Sequence, residues 1–515
     1  MKGNKRSAVI LALAALATLA SCGGTSNSSA PTGEDYTLDE NWKGKITWWH
    51  TYLAPTEEGQ EGNFALYNYA KGIVEEFQKA NPNITVELVF KGSKQNDYAG
   101  LAQAVSAGLP TRDLPNIAST YGTYVYAWAQ EGVVADVSAH AAKLREDKDF
   151  SSAYLDSELK QYGNKYYSLP YSKSTDALML NAEIMKAKAG EAAGTQTEKY
   201  LAPVAGPNKT EYTAPATFED LMATARKIKE DYPDIYTGKN SENLFDAVPV
   251  IYEDAANLLI TLLESKGIPF VTNDSDPVKA LKFIDSQDAK DLVVQLAKYN
   301  REGLLATKGQ LRKSGQWNAY PSDLFAEGRC YAIMASTTGA PWMAGDGYSV
   351  SWNALPKYDS SSKAKALSQG PSLTFFDKKD KNEVAASLLF YDFLTKKENT
   401  AKLAADTNYF PLRASAYEDA SLKSLSDAAK VAINADSDYN AKKSNYGGKV
   451  FDINKIYEEG DYYFMSPVFT LSDKARTACN NIINAVFDDV SATTDEAIKT
   501  LVDSQFTAAK TYILG

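Results

Sequence analysis

Carboxylate and tyrosine side chains are abundant in this sequence, whereas histidine and cysteine are scarce. The chain has 65 Asp and Glu residues and 32 Tyr, but only two His (His50, His140) and three Cys (Cys22, Cys330, Cys479). Two histidines far apart in the chain do not make the usual zinc clusters, and neither Cys-x-x-Cys nor His-Glu-x-x-His occurs. Phosphate-loop and serine-elbow motifs are absent as well. We therefore expect no metal and no cofactor, while catalysis by a carboxylate pair stays open.

Length and charge narrow the class of protein further. The chain has 515 residues, 44% hydrophobic and 23% charged, which is ordinary globular composition and long enough for two to four domains. With a formal net charge of −11, the chain lacks the excess of basic residues that is typical of nucleic-acid-binding proteins. Tyrosine combines an apolar ring with one hydrogen-bonding tip, so a tyrosine-rich chain suits polar ligands with apolar faces. Ordinary half-buried surface explains the same composition equally well.

The first residues read as an export signal. A positive head is followed by an apolar run from Ala8 to Ala20, too short to span a bilayer but typical of a signal-peptide core. The run ends in Leu19-Ala20-Ser21-Cys22, which resembles the bacterial lipobox. This predicts a lipoprotein signal peptide over 1–21, lipid attachment at Cys22 and a flexible tether over 22–42. An ordinary signal peptide remains the alternative. We expect an extracytoplasmic protein anchored by lipid to a bacterial membrane.

Strand and helix patterns alternate from residue 45 onward. Short apolar strands are predicted at 46–49, 84–90 and 116–119, and amphipathic helices at 66–77, 97–107 and 123–131. This alternation predicts an α/β fold with a parallel sheet, in which ligands bind outside the carboxyl ends of the strands.

The rest of the chain is less regular. An extended crossing is predicted at 166–181, a surface insertion at 187–215 and an apolar strand at 330–335. Helices are predicted at 217–230, 254–266, 288–302, 384–395 and 473–490. Cys330 and Cys479 are each compatible with a buried thiol or with a disulfide, and the sequence does not decide between the two.

Six segments together resemble the family 1 extracellular solute-binding proteins of ABC importers, which include maltose- and glycerol-3-phosphate-binding proteins. Each segment alone is a weak signal, but their order along the chain is that of the family. They are Ile46-Thr47-Trp48-Trp49-His50, Phe77-Gln78-Lys79-Ala80-Asn81-Pro82-Asn83-Ile84, Leu169-Pro170-Tyr171, Phe325-Ala326-Glu327-Gly328-Arg329-Cys330-Tyr331-Ala332, the loop from Ser336 to Trp342, and Asn408-Tyr409-Phe410-Pro411-Leu412-Arg413.

The resemblance implies a two-lobed α/β fold of the periplasmic-binding-protein type, with a hinge and a cleft between the lobes. The first lobe would comprise 43–165 and 318–372, and the second 166–317 and 373–515. Solute then drives closure, because it contacts both lobes only in the closed state.

The resemblance also implies the ligand-binding residues. The family's cleft loops, crossing segment and Gly-Pro-Trp segment fall on His50, Tyr52, Tyr98, Tyr121, Ser174, Thr175, Thr338, Gly339, Trp342, Gly370 and Tyr409. Trp342 would stack on a sugar ring, although one residue is inserted before it. Where the glycerol-3-phosphate protein has an acidic residue, this chain has Tyr121-Gly122, which favours a sugar or oligosaccharide over a glycerol phosphodiester.

The function implied is that of a monomeric, non-enzymatic receptor that delivers solute to an ABC permease. A glycerol-3-phosphate-type or other polar solute is the alternative ligand. Two other classes stay open: a surface glycoside hydrolase with two carboxylates about 5–10 Å apart, and a chemoreceptor or adhesin-like lipoprotein without an importer.

Overall fold

The computed structural model describes residues 33–56, 64–109, 113–161, 165–181, 215–272, 274, 276–313, 316–317, 319–343, 350–431, 439–465, 468–469 and 471–515. These residues form two five-stranded sheets flanked by helices. Between residues 44 and 130, strands and helices alternate along the chain. The predicted α/β fold is therefore confirmed.

Fourteen strands occur in the described residues. They are β1 (Gly44–His50), β2 (Ile84–Phe90), β3 (Ile117–Thr120), β4 (Ser168–Pro170), β5 (Asp176–Asn181), β6 (Val250–Tyr252), β7 (Leu305–Thr307), β8 (Arg312–Lys313), β9 (Gln316–Trp317), β10 (Ala332–Ser336), β11 (Val350–Asn353), β12 (Ala366–Leu367), β13 (Ser372–Phe375) and β14 (Tyr463–Phe464). One sheet has the order β2-β1-β3-β13-β4 and the other β11-β5-β10-β6-β7.

The described α-helices flank these sheets. They are α1 (Ala65–Ala80), α2 (Tyr98–Gly108), α3 (Gly122–Gln130), α4 (Ser138–Glu146), α5 (Ser152–Gln161), α6 (Phe218–Asp231), α7 (Ala255–Lys266), α8 (Pro277–Ala280), α9 (Gln287–Arg301), α10 (Pro321–Ala326), α11 (Lys381–Leu394), α12 (Lys397–Thr407), α13 (Ala420–Ala429), α14 (Tyr439–Glu459), α15 (Ser472–Asp488) and α16 (Asp495–Leu514). Single 3₁₀ turns lie at Lys282–Asp285, Lys308–Gln310, Thr337–Met343 and Ala414–Glu418.

Local sequence explains where the helices beside the sheets begin and end. The α1 helix buries Leu66, Ile73 and Phe77 along one face and ends before the Asn81-Pro82 pair. The α7 helix begins at Asp254, whose carboxylate accepts a hydrogen bond from the backbone N–H of Asn257 at 2.7 Å. That helix ends where Gly267 adopts a φ of +82°, a left-handed conformation that glycine adopts without steric cost.

The first lobe is built on the first sheet. Parallel pairing joins β1 to β2 and β3, and β13 enters antiparallel between β3 and β4. The apolar cluster beneath this sheet draws on α1 and also on α11, α12 and the C-terminal half of α14. The lobe therefore combines the first part of the chain with residues 372–459.

The second lobe is built on the second sheet. Its central strand β10 pairs antiparallel with β5 and parallel with β6. The largest apolar cluster of this lobe packs α6, α7 and α9 together with α15 and α16. The α7 helix is buried on nearly every side, with ten of its residues inaccessible, so it forms the centre of the lobe.

Three segments connect the lobes, at 171–175, 354–371 and 460–471. The first two are hydrogen-bonded to each other, since Ser174 donates its N–H to the Gln369 carbonyl at 2.9 Å and receives the Gln369 N–H at 3.0 Å. The second and third pair through β12 and β14, which lie parallel. The crossing segments thus lie side by side as one narrow hinge region.

The sheet pairing corrects the predicted lobe boundaries. The strand at 332–336 was assigned to the first lobe, but it pairs with β5 and β6 in the second sheet. Residues 373–459 were assigned to the second lobe, yet β13 and helices α11 to α13 pack in the first. The prediction failed there because an antiparallel strand that returns from far along the chain leaves no local signal of the sheet it joins.

Two further predictions meet the structure only in part. The tether predicted at 22–42 begins outside the described residues, as do the signal peptide and Cys22, but 33–42 packs on the first lobe through Tyr36, Leu38 and Trp42. The insertion predicted at 187–215 lies outside the described residues except for Pro215. Cys330 and Cys479 are buried free thiols in separate apolar clusters, which answers the question of a disulfide between them.

Candidate functional site

A cavity of about 390 Å³ lies between the lobes, beside the crossing segments. We call it the cleft cavity. Its volume is within the range of small-molecule sites, roughly 300–1,000 Å³. Both lobes and the hinge contribute to its lining, which consists of Asn96, Tyr98, Tyr121, Ser174, Asp176, Glu253, Asp254, Asn257, Lys308, Ser336, Thr338, Gln369 and Tyr409.

Three tyrosines form the first-lobe wall of the cleft cavity. Tyr98 is the first residue of α2, Tyr121 directly precedes α3, and Tyr409 follows α12. The rings of Tyr98 and Tyr121 pack edge to face, with centroids 4.9 Å apart. Asn408 ends α12 with a φ of +60°, a conformation that asparagine tolerates and that turns the chain toward the cavity at Tyr409. The wall offers apolar faces as well as hydroxyl groups.

Asp176 forms the floor of the cleft cavity, at the point where the first crossing segment enters β5. Its carboxylate is 3% exposed and accepts hydrogen bonds from Asn257 at 2.8 Å, Gln369 at 2.9 Å and the Tyr252 hydroxyl at 3.1 Å. Burial raises the pKa of this carboxyl despite those donors. Its donors are neutral groups, so Asp176 adds negative charge to the floor.

Glu253 and Asp254 follow strand β6 and form the second-lobe wall. Burial raises the pKa of Glu253, and the neighbouring Asp176 raises it further, while Lys308 acts in the opposite direction. The Lys308 ammonium lies 3.9 Å from the ring centroid of Tyr320. Asp254 caps α7 and lies 3.3 Å from the Arg476 guanidinium. Carboxylates therefore outnumber ammonium groups in the cleft cavity by three to one.

Five of the predicted ligand-binding residues line this cavity. They come from five separate stretches of the sequence: Tyr98, Tyr121, Ser174, Thr338 and Tyr409. Ser174 lies in the first crossing segment, and the Thr338 hydroxyl is 3.0 Å from that of Ser336. The structure thus gathers these five residues around one cavity.

His50 and Tyr52 do not line the cleft cavity, and both side chains are buried in the first lobe at 1% exposure. The rings stack with centroids 4.9 Å apart, and His50 Nδ1 accepts the Tyr52 backbone N–H at 3.1 Å. Burial lowers the pKa of His50 to about 4, because the charged imidazolium would lose its hydration there. Both residues act as core residues in this arrangement.

Thr175, Gly339 and Gly370 each directly follow a lining residue in the sequence but do not contribute to the described lining of the cleft cavity. Thr175 donates its hydroxyl to the Leu367 carbonyl at 2.9 Å and so ties two crossing segments together. Gly370 has a φ of +96°, and a Cβ there would lie 1.9 Å from the Ser172 carbonyl oxygen. Any residue with a Cβ at position 370 would collide with the neighbouring crossing segment, so glycine is required there. Gly339 and Trp342 belong to the 3₁₀ turn after β10, and the Trp342 side chain lies outside the described structure.

Eight polar residues of the cleft cavity were not among the residues expected from the sequence. Most belong to the second-lobe wall and the floor, whereas Asn96 comes from the first lobe and Gln369 from the second crossing segment. They are Asn96, Asp176, Glu253, Asp254, Asn257, Lys308, Ser336 and Gln369. A local signal existed for two groups of them. Glu253-Asp254 and Lys308 each follow a short buried strand, and the carboxyl ends of parallel strands meet at one edge of a sheet. Asp176 stands out as a charge in an otherwise apolar run.

Neither a metal centre nor a membrane-spanning helix occurs among the described residues. No group of three or more His, Cys, Asp or Glu side chains in that part of the chain is placed to hold a metal ion. In the same part, every helix is too short or too polar to cross a membrane.

Comparison with known proteins agrees with this architecture. The family model described as "Bacterial extracellular solute-binding protein" matches residues 72–430, more than half of the chain. The sn-glycerol-3-phosphate-binding periplasmic protein UgpB of Rhizobium meliloti (strain 1021) is 22% identical over 391 residues, which cover 73% of this chain and 76% of that protein.

Solved structures share the fold at lower identity. UgpB from Mycobacterium tuberculosis in complex with glycerophosphocholine has a TM-score of 0.60 at 16% identity, covering 92% of this chain and 98% of its own. The cyclic alpha-maltosyl-1,6-maltose binding protein of Arthrobacter globiformis has a TM-score of 0.60 at 14% identity, with the same coverage. Two lobes, a cleft lined from both of them and a family match over most of the sequence lead to one conclusion: the chain belongs to the bacterial extracellular solute-binding proteins.

Proposed function

We propose that this protein captures a neutral, hydroxyl-rich solute, a sugar or oligosaccharide, between its lobes and delivers it to an ABC permease. The observation that carries the proposal is the pairing of two unlike walls across the cleft cavity. Tyrosine rings of the first lobe face the carboxylates of Asp176 and Glu253. The C–H faces of a pyranose pack on aromatic rings, while its hydroxyl groups donate to carboxylates.

The charge of the cleft cavity favours a sugar over a phosphate-bearing solute. The two UgpB relatives bind glycerol phosphates, as their names state. Recognition of a phosphate group depends on cationic or N–H donors. Here Lys308 is the single ammonium group against three carboxylates, and Arg476 is already bonded to Asp254 and Asn257. A dianionic or monoanionic phosphate would be repelled.

The protein acts as a receptor and not as a hydrolase in this proposal. A retaining or inverting glycosidase needs a proton-donating carboxyl and a second carboxylate that is free to attack or to activate water. Asp176 is held by three hydrogen bonds from Tyr252, Asn257 and Gln369, which fix it as an acceptor. Bound sugar is therefore expected to leave the cleft unchanged.

Titration calorimetry and native mass spectrometry test the ligand class directly. Maltose and maltotriose should bind and be recovered intact, whereas sn-glycerol-3-phosphate and glycerophosphocholine should not compete. Glu253→Gln should weaken sugar binding by roughly tenfold or more, since hydrogen bonds to charged groups are worth about 1.5–3 kcal/mol. Glu131→Gln, on an exposed position of the first lobe, is the matched control. Tighter binding of either phosphate compound, or recovery of cleaved sugar, would contradict the proposal.

Trp342 remains a proposed stacking residue. It lies in the 3₁₀ turn that begins between two residues of the cleft cavity, Ser336 and Thr338. In the same titrations, Trp342→Ala should lower the affinity for maltotriose by about thirtyfold while the melting temperature stays close to that of the parent. A large fall in melting temperature with unchanged affinity would instead identify Trp342 as a core residue.

Membrane anchoring through Cys22 is part of the proposal, as are an extracytoplasmic location and a monomeric state. The support is the lipobox-like Leu19-Ala20-Ser21-Cys22 behind a basic, apolar leader. Cys22→Ser should leave the fold intact and release the protein from the membrane fraction. A Cys22→Ser protein that still sediments with membranes after a high-salt wash would exclude a lipid anchor at this residue.

A further inference from the structure

A second cavity of about 370 Å³ adjoins the cleft cavity behind the hinge residues. The two cavities share Tyr121 and Gln369 in their linings. The second cavity lies between the start of α3, the middle of α7, the crossing segments and the start of α15. It is therefore also an inter-lobe space and continues from the candidate site.

The lining of the second cavity differs in character from that of the cleft cavity. Apolar side chains are prominent in the second cavity, whereas polar and charged side chains predominate in the cleft cavity. The apolar side chains come from both lobes and from the second and third crossing segments: Tyr124, Ile260, Phe270, Leu367, Met465 and Val468. An apolar cavity of this size next to a polar one is suited to a ligand with two unlike ends.

A chain of hydrogen bonds lies where the two cavities meet. Arg476, which lines the second cavity, donates to Asn257 Oδ1 at 2.7 Å. Asn257 in turn donates to Asp176 at 2.8 Å, and Gln369 donates to the other oxygen of Asp176 at 2.9 Å. These bonds link α15, α7, β5 and the second crossing segment beside the opening that Tyr121 and Gln369 border from both sides.

One buried hydroxyl in the second cavity has no hydrogen-bond partner among the described residues. Ser368 Oγ belongs to a residue that is 1% exposed and lies between Leu367 and Gln369 in the second crossing segment. Leaving a buried hydroxyl unpaired costs about 1–3 kcal/mol. A ligand atom that accepts from or donates to Ser368 would remove that cost.

We propose that the solute extends past Gln369 into the second cavity with an apolar group, so that the protein binds amphipathic glycosides more tightly than the corresponding free sugars. This inference rests on the proposed function, since it assigns the sugar to the cleft cavity. The apolar group contacts Ile260, Phe270 and Val468, and Ser368 supplies one hydrogen bond near the junction between sugar and tail.

Matched glycosides test the proposal. The probes are methyl and n-hexyl glycosides of maltose and of glucose, titrated below micelle-forming concentrations. The n-hexyl compounds should bind at least tenfold more tightly than their methyl counterparts, because each fully buried CH₂ group contributes roughly fourfold in affinity. Val468→Phe fills the second cavity and should abolish this advantage while leaving the methyl glycosides unaffected. Val490→Phe, on an exposed surface position, is the matched control and should change neither affinity.

The possible outcomes separate this inference from the proposed function. Equal binding of methyl and n-hexyl glycosides overturns the inference and leaves the sugar-binding function intact. An n-hexyl advantage that survives Val468→Phe also overturns it, because the tail then binds elsewhere. Failure of every glycoside and of maltose and maltotriose to bind contradicts both. Ser368→Ala provides a second measurement that does not add volume. Methyl and n-hexyl glycosides carry the same polar atoms at the junction, so this variant should weaken both, and unchanged binding of both would overturn the contact with Ser368.

Discussion

At the scale of single residues, His50 shows how burial decides the role of a chemically versatile side chain. It is the last residue of β1 and was expected to contact ligand in a cleft loop, yet its imidazole stacks on Tyr52 inside the first lobe. A histidine there must stay neutral, because protonation would place a charge where water cannot reach it. Because protonation is costly in the folded chain, the contribution of His50 to folding stability depends on pH.

We therefore expect His50 to account for part of the pH dependence of folding stability. Its pKa is about 4 in the folded chain and about 6.5 in an unfolded one, so the unfolded chain binds the extra proton between these values. The free energy of unfolding is then expected to decline by about 3 kcal/mol as the pH falls from 6.5 to 4. His50→Gln should flatten this part of the profile in denaturant titrations, and His140→Gln, the other histidine, serves as control. Parallel profiles for parent and His50→Gln would refute the assignment.

A second residue-scale feature is the ion pair between Lys173 and Glu158, which is fully buried. The Nζ–Oε1 distance is 2.6 Å, and both side chains are at most 1% exposed. Ser168 and Ser372 complete the group, with Ser168 donating to Glu158 at 2.8 Å and Lys173 donating to Ser372 at 2.7 Å. Lys173 lies in the first crossing segment, so the pair fixes that segment to α5.

Removal of one partner should cost more than removal of both. Lys173→Met leaves the Glu158 carboxylate buried and uncompensated, with an expected loss of about 3–5 kcal/mol in the free energy of unfolding. Lys173→Met combined with Glu158→Gln should recover a large part of that loss. A double-mutant cycle by chemical denaturation measures both effects. If the loss of stability in the double variant equals the sum of the losses in the two single variants, the residues are not coupled.

At the scale of elements, the helices and strands of the first 130 residues follow from periodicity, whereas the lobe boundaries do not. Leu66, Ile73 and Phe77 repeat at helical spacing and fix α1 within a few residues. The interior strand β13, by contrast, is four residues long and pairs with β3 some 250 positions earlier in the chain. Short buried strands of this kind carry no register in their own sequence.

The residues of the candidate site also fall into two groups, those that the sequence predicts and those that only the fold brings together. The three tyrosines and Ser174, which line the cleft cavity, could be proposed from the sequence because the resemblance is carried by short local segments. The acidic wall required the fold, since Asp176 and Glu253 are brought together only by the pairing of β5, β10 and β6. Gly370, expected to allow a close backbone approach to ligand, has a structural explanation within the chain. Its lack of a Cβ serves the contact between two crossing segments.

Gly370→Ala should therefore disrupt the hinge. An added Cβ meets the Ser172 carbonyl oxygen at 1.9 Å, so the crossing segments must separate, and the left-handed φ of +96° adds strain. The expected loss is about 2–4 kcal/mol in the free energy of unfolding, with weaker solute binding. Gly267→Ala, at a similar φ of +82° with nothing within 4 Å, controls for the backbone conformation alone and should cost about 1 kcal/mol. Similar losses in thermal melts of the two variants would argue against the steric explanation.

At the scale of the whole molecule, three adjacent crossing segments confine relative movement of the lobes to a narrow hinge. The walls of the cleft cavity belong to different lobes, so a solute that contacts both of them stabilises the closed arrangement. Solute binding and closure are then a single equilibrium.

Saturating maltotriose should shrink the radius of gyration measured by small-angle X-ray scattering and should raise the melting temperature. A ligand that binds the folded state alone adds about 2.7 kcal/mol at 100 times its dissociation constant. Sorbitol at the same concentration controls for a general co-solvent effect. Superimposable scattering curves with and without bound maltotriose would show that binding proceeds without closure.

The position of β13 in the first sheet also has a consequence for synthesis of the chain. Strand β4 is joined to its sheet by β13 alone, and β13 lies some 200 residues further along the sequence. A ribosome adding about 5–20 residues per second takes on the order of 10–40 s to cover that distance. Throughout this interval β1, β2 and β3 can pair with one another, but the free edge of β3 lacks its native partner. The nascent first lobe is thus exposed to edge-to-edge association until residue 375 has been made, and a chaperone that covers β3 would protect the protein at that stage.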